Sequence, residues 1–559
     1  MTTEAGAPRR AATLPPIPLH RRIYGFGSIY GKTIRDSRLA FIIAAGLMGG
    51  LALFMGAAIS NVFPTEAVRQ DINGLIGGMP HDLVNLFGKP VELGTLGGYM
   101  SWKYGATFAL GASLWSILAL SGTLAGEARR GSLDLVAAAP FGKRRIALEK
   151  LGAHVTMLVL AMAVVALCIT TSSSLFGDAA LGDKIPPLDA IGFTAWMGAL
   201  ALCFGGLAFA LGPLLGRAGA AGLASAVMLV LWIANGFTAL DAIAVISPFR
   251  WTADHVALVG QFDWGGVALV GVVALGLLAI GVELFARRDL GVTVGLSLPG
   301  LPTSVLGVRG PISRAFGEQL PRAAAWGIGM GIFGVMLVSL VGSFSAQIAN
   351  DSALTQTFSQ IFPNFKIDTA GGWLQLFVQL LFIAAGFAGT MFVAKWASDE
   401  TGERLEMLLS TPMTRRAWVI TGGIAALLAV AVTNVLLAAG IALGAVAGGV
   451  PVGSAIIGST ALGLFAAAMV GVGVAVGGLW RTSIAAEIAA GVVIVTYLID
   501  LLAPPLKWPD WVHHLALTAN LGQPMLGDWN PVGVIACAVI AVGGILLGAW
   551  GFARRDVSD

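Results

Sequence analysis

Few residue groupings in this chain invite a chemical reading, and most of them fail on spacing. Gly31-Lys32-Thr33 has the ending of a phosphate-binding loop, but such a loop needs a glycine five positions earlier, at a strand end, and position 26 is Phe26. No ATPase site of the chain's own is therefore expected. His513-His514 and His81-Asp82 lack metal-ligand spacing and have no further His or Cys close by in sequence, so no metal site is expected. His20, His154 and His255 stand alone, and neither a Ser-His-Asp set nor a carboxylate pair can be assembled, which disfavours a membrane-embedded lipid-modifying enzyme. Cys168, Cys203 and Cys537 fall in apolar stretches and read as small packing residues, not disulfide or metal partners. Asp241, Glu283, Glu487 and Asp500 lie near the ends of apolar stretches, where snorkelling lowers the cost of charge. A proton-coupled pump calls for acids nearer mid-membrane.

One motif survives because it occurs twice. Residues 127–145 run Glu127, three residues, Gly131-Ser132-Leu133-Asp134, then Val136, Pro140 and the basic Lys143-Arg144-Arg145. Residues 399–416 repeat the plan at a constant offset of 272, with Asp399, Glu400, Leu405, Glu406, Leu408, Leu409, Pro412 and Arg415-Arg416. Leu405, Leu408, Leu409 and Pro412 stand at i, i+3, i+4 and i+7, the spacing of one helical face, and Leu133, Val136 and Ala137 repeat the start of it. Such a short amphipathic helix lies on a membrane surface, held by anionic headgroups, or docks into a groove on a partner. Its duplication favours a partner that also comes in two copies.

The elements that must carry these loops follow from composition. Of 559 residues, 57% are hydrophobic and 11% charged, against about 25% charged in a soluble domain. At about 20 apolar residues per crossing, twelve spans are expected, so the fold class is an all-α polytopic membrane protein. The first six lie near 39–60, 104–125, 151–175, 191–215, 221–246 and 265–286. The second six lie near 324–345, 372–396, 417–447, 454–478, 484–503 and 531–552. The expected organisation is a tail over 1–38 with an amphipathic helix, a first half over 39–286, a Pro-containing linker over 287–323 and a second half over 324–559. Ile23, Phe26, Ile29, Tyr30 and Ile34 give the tail helix its apolar face, and Ile312, Phe316 and Leu320 suggest a counterpart before the seventh span. The tail lacks the apolar core of a secretory signal, so insertion is expected to rely on the first span.

Both halves close on Phe-Ala-Arg-Arg-Asp, at 285–289 and 552–556, and Arg217 and Arg481 fall between the fourth and fifth spans of each half. Asp263-Trp264 and Asp528-Trp529 form a further echo. Six spans per repeat make the two halves parallel pseudo-repeats entering from the same side. If the N-terminus is cytoplasmic, 26 of the 33 lysines and arginines fall on the inner side, so both termini are expected inside. The net charge of +3 calls for no nucleic-acid partner.

Read with Glu127, Gly131, Ser132, Leu133, Asp134 and Pro140, the repeated loop resembles the cytoplasmic loop of ABC-2 type permeases, the membrane subunits of a class of ATP-binding-cassette exporters. The second copy departs from that pattern at Asp399, Glu403 and Arg404. The two fused halves look like the tandem permeases of bacterial antibiotic and multidrug exporters. The resemblance implies a permease in the bacterial cytoplasmic membrane, in contact with lipid, moving a small hydrophobic substrate outward. It implies two copies of a cytoplasmic ATPase subunit that bind ATP and Mg, docked on the two loops including Arg144, with no cofactor in this chain. In that family the second and fifth spans line the central seam, which points to Phe108, Trp115, Trp232 and Asn235 in the first half and Gln379, Phe382, Phe387 and Tyr497 in the second. Export of a lipid or another small molecule fits the same resemblance. A major-facilitator-type secondary drug/proton transporter shares the twelve-span plan, but residues 126–145 do not supply its Gly-x-x-x-Asp-Arg-x-Gly-Arg-Arg type string.

Overall fold

The computed structural model describes residues 28–62, 64–77, 81–123, 142–287, 310–339, 341, 369–402, 404–503 and 506–555. Twelve helices among them are long and apolar enough to cross a membrane. They are α1 (Ile29–Asn61), α2 (Leu96–Thr123), α3 (Lys143–Phe176), α4 (Pro187–Arg217), α5 (Gly219–Gly236) and α6 (Trp264–Arg287) in the first six. In the second six they are α7 (Pro311–Ser339), α8 (Val378–Thr401), α9 (Arg415–Gly448), α10 (Gly453–Leu479), α11 (Thr482–Leu502) and α12 (Pro531–Phe552). The chain is an all-α polytopic membrane protein; the described strands form a single two-residue pair, Gly522–Gln523 with Asp528–Trp529.

Several helices run past the apolar stretch that marks them in the sequence. At 34 residues α3 is about 51 Å long, against a hydrocarbon core of about 30 Å. Its basic first turn, Lys143 to Arg145, is therefore carried on the helix itself. The segment with Ile312, Phe316 and Leu320 is likewise the first three turns of α7, which continues through Pro321 without a break. On the tail segment, Ile29, Tyr30 and Ile34 belong to α1, while Ile23 and Phe26 lie outside the described residues. The fourth and fifth spans form one helical run interrupted at Gly216, whose φ of 70° admits glycine where a β-carbon would clash.

The described chain divides into two compact units, Met1–Ser60 with His81–Leu296, and Asn61–Pro80 with Ser297–Asp559. In the first, Ile29, Leu120, Ile146, Phe209, Leu278 and Phe285 pack into one cluster, gathering alternate helix ends at a common basic end. A second cluster around Ala109, Phe204, Met228, Phe249 and Val270 fills the remainder.

Glycine seams hold the second unit. On α7 and α9, Gly327, Gly331, Gly440 and Gly444 bring the two backbones together, so that a β-carbon on Gly331 would lie 2.8 Å from Leu436 O and one on Gly440 would strike Gly331 O. On α10 and α12, Gly471 faces Gly544 and Gly478 faces Gly548 in the same way. Lipid tails are as apolar as leucine, so helices here associate through such close van der Waals approach. Large side chains turned outward, such as Leu275, Val435, Leu443 and Val446, suit lipid contact.

The internal repeat extends to local geometry. Helices α3 and α9 are both 34 residues, offset by 272 at both ends. Before each closing helix, a 3-10 turn (Ala257–Val259 and Pro524–Leu526) ends on a left-handed glycine, Gly260 and Gly527. An antiparallel pairing brackets each turn, Val256 with Gln261 and Gln523 with Asp528, at a constant offset of 267. In this register Asp263 corresponds to Asn530, and both cap the helix that follows, by accepting from Gly266 N and Val532 N. The Asp-Trp echo of the sequence is thus two residues out of structural register.

Candidate functional site

The loop after α8 is built from the helix inward. Asp399 and Glu400 lie on the last turn of α8, not in the loop, because the helix continues to Thr401. Asp399 is buried; its Oδ2 accepts from Trp418 Nε1 at 3.5 Å and stands 3.6 Å from Arg314 Nη2. Arg314 also pairs with Glu318 at 3.3 Å, and Glu318 pairs with Lys395. Trp396 stacks on Trp418 at 4.9 Å, and Trp418 leans on Phe552. Glu400 accepts from Thr482 Oγ1 at 2.6 Å and pairs with Arg555. Arg555 in turn donates to Gly477 O and Trp480 O, both at 2.9 Å, and Arg415 donates to Arg555 O at 2.7 Å. The acids of the motif therefore tie the basic ends of α7, α8, α9, α11 and α12 into one body.

The loop's short helix is Leu405–Leu409. Leu405 is only 2% exposed and Leu408 and Leu409 are half-buried, whereas Glu406 is exposed and Met407 is 67% exposed. Pro412 stands exposed beyond the helix end, so the four-residue apolar face read from the sequence does not form. Its i and i+3/i+4 members turn toward the bundle, and the outward strip consists of Glu406, Met407, Pro412 and Arg416. Thr414 caps α9 by accepting from Ala417 N. Periodicity alone identifies a face without saying which side it covers, and Met407 was missed for that reason.

In the first half, Glu127, Gly131, Leu133, Asp134, Val136 and Pro140 lie outside the described residues. Both flanks of that loop are anchored. Lys150 Nζ donates to Thr123 O at 3.0 Å, satisfying a carbonyl at the end of α2. Glu149 accepts from Ile29 N and Tyr30 N at 3.1 and 3.2 Å, capping the start of α1. Arg144 and Arg287 converge on Glu283 at 2.8 and 2.6 Å, solvent-screened pairs at the exposed helix ends.

Five of the eight aromatic and amide candidates gather in two places toward the distal ends of the helices. In the first unit Trp232 and Asn235 line a cavity of about 250 Å³ together with Phe193 and Trp196. Phe108 reaches it indirectly, edge-on to Phe193 at 6.2 Å. Trp115 lies elsewhere, 5.6 Å from the His154 ring, which hydrogen-bonds Ser116. In the second unit Gln379, Phe382 and Tyr497 meet around Asp500, in a space of about 10 Å³ that Phe387 does not line. His513 hydrogen-bonds Asp500 at 3.2 Å and His514 contacts Asn520. Asp241 stands 4.0 Å from Arg250.

Two comparisons bear on these sites. Residues 308–553 match the family described as the C-terminal domain of the multidrug efflux system permease Rv1217c. The chain is also 25% identical, over 324 residues, to the multidrug efflux system permease protein Rv1217c of Mycobacterium tuberculosis (strain ATCC 25618 / H37Rv). That similarity covers 56% of this chain and 57% of the relative, so the chain spans little more than half the length of the curated relative it matches. The family match takes in all of α7 to α12 and the whole of the 399–416 loop.

Proposed function

We propose that this chain is the membrane-spanning permease of an ATP-binding-cassette exporter of the ABC-2 type, with two six-span halves fused in tandem. The cargo is a small hydrophobic, drug-like molecule moved out of a bacterial cell across the cytoplasmic membrane. Two copies of a separate cytoplasmic ATPase bind ATP and Mg and act on the loops after α2 and α8. The observation that carries this reading is the match of residues 308–553 to a multidrug efflux permease domain. Both termini then lie in the cytoplasm, on the side that receives 26 of the 33 cations.

The local geometry supplies a means of coupling. A partner that grips Glu406 and Met407 grips a helix whose buried Leu405 is seated in the bundle. Through Asp399 and Glu400 the adjoining turn is bonded to Arg314 at the start of α7 and to Arg555 beyond α12. Displacement of the loop therefore moves several helix ends together, a two-state element that nucleotide binding biases. Inverted membrane vesicles containing the chain and its ATPase should accumulate a hydrophobic dye on addition of ATP, and the Met407→Asp variant should not. Accumulation driven by a proton gradient without ATP would place the chain among secondary transporters instead.

A further inference from the structure

The 250 Å³ cavity of the first unit lies between the distal ends of α2, α4 and α5 and the two connections that cover them, 81–95 and 237–263. Its walls combine Phe193, Trp196, Trp232 and Phe249 with polar residues such as Asn85 and His255, and the indole N–H groups are already satisfied. Trp196 Nε1 donates to Thr252 Oγ1 at 2.8 Å and Trp232 Nε1 donates to Leu86 O at 3.1 Å. The indoles are thus fixed in place with their polar edges spent, leaving ring surface as what they offer a guest. The polar groups left over are different. Asn235 and Ser101 border the cavity, and Asn235 Oδ1 and Ser101 Oγ are buried in its wall without a hydrogen-bond partner among the described residues. At the rim, Lys89 pairs with Asp254 at 2.6 Å, and Arg250 stands 4.0 Å from Asp241, so the nearby charges are matched.

Among the described residues of the second unit, a space bounded by α8, α10 and α11 is nearly closed. It measures about 10 Å³ and is lined by Phe382, Phe465 and Tyr497, with Gln379 Nε2 donating to Asp500 O and His513 bonded to the Asp500 carboxylate.

We propose that the first-unit cavity is a binding site for a neutral, hydroxylated, fused-ring aromatic molecule. The rings of Trp196, Trp232 and Phe193 contact the flat apolar body, and the ligand's hydroxyl donates to Asn235 Oδ1 once the side-chain amide turns from the wall toward the cavity. A buried acceptor without a donor is costly, which gives the site its preference for a hydroxyl over the bare hydrocarbon. That the ligand is exported cargo rests on the efflux reading above; that it binds does not.

The test uses the full chain in lipid nanodiscs without ATPase, and tritiated 1-naphthol as the probe, with empty nanodiscs as the blank. Saturable binding to the parent is expected, weakened at least tenfold by Asn235→Leu, which removes the acceptor. Ala106→Phe, which fills the cavity without touching a polar group, should weaken it comparably. Thr496→Val in the closed space of the second unit should leave the affinity within twofold. Absence of saturable binding to the parent overturns the proposal. So does unchanged affinity in both cavity variants when each retains the parent's unfolding temperature. Saturable binding without ATP-dependent export removes the efflux reading and leaves the site, whereas export without saturable binding removes the site alone.

Discussion

The contrast between Leu405 and Met407 gives a prediction in which fold and docking separate on one five-residue helix. Leu405 is 2% exposed and Met407 is 67% exposed. Replacing Leu405 with alanine removes buried methyl and methylene groups and should cost about 2–5 kcal/mol of stability. Met407→Asp changes an outward side chain and should alter stability by no more than about 0.5 kcal/mol. If the ATPase covers Met407, the aspartate forfeits about 1.5–3 kcal/mol of apolar burial, or about 10- to 100-fold in affinity at 1.4 kcal/mol per decade. The assay is titration of the purified chain with ATPase subunit, alongside the unfolding temperature of each variant. Since the loop after α2 is untouched, the stoichiometry should fall from two ATPase copies to one. Met407→Asp binding two copies within threefold of the parent affinity would refute the docking assignment. A Leu405→Ala variant as stable as the parent would refute the placement of that side chain.

Three further outcomes follow from the packing and the charge distribution. Gly440→Leu should abolish recovery of folded protein, because any side chain there meets the Gly331 backbone, while Gly329→Ala, with open space around it, should be tolerated; size-exclusion profiles in detergent distinguish the two. Glu400→Gln should lower stability by about 1–3 kcal/mol, since it leaves the half-buried Arg555 guanidinium without its carboxylate, and a double-mutant cycle with Arg555→Gln should recover most of that loss as coupling. With Cys168, Cys203 and Cys537 replaced, a cysteine at Arg416 should react with a membrane-impermeant thiol reagent only in inverted vesicles, and one at Lys89 only in intact cells; the reverse pattern would invert the orientation.

The twelve helices were legible because hydropathy over about 20 residues reports a demand of the bilayer. The helix ends were not, since nothing in that demand says where a helix stops once it has left the hydrocarbon. Hence α7 absorbs the amphipathic stretch at 312–320, and Asp399 and Glu400 belong to α8 instead of the loop. The repeat was visible in letters, but its register near the last helices emerged from cap geometry, where Asp263 and Asn530 do the same work with different side chains. Arg555 read only as part of a repeated string; its bond to Glu400 joins residues 155 positions apart, and no local pattern encodes it. Trp232 and Asn235 came from a family resemblance, and the structure adds that they line an open cavity in the first unit.

A separate ATPase bound at the basic end is the proposed motor of this chain. The most direct measurement is co-expression with an ATPase encoded in the neighbouring reading frame, purification of the complex through a tag on the permease, and ATP hydrolysis in proteoliposomes with and without a hydrophobic drug. The expected result is a stable complex of one permease chain with two ATPase copies, whose hydrolysis rises with drug and loses that response in the Met407→Asp variant. A permease that purifies alone and exports the drug without ATP would contradict it.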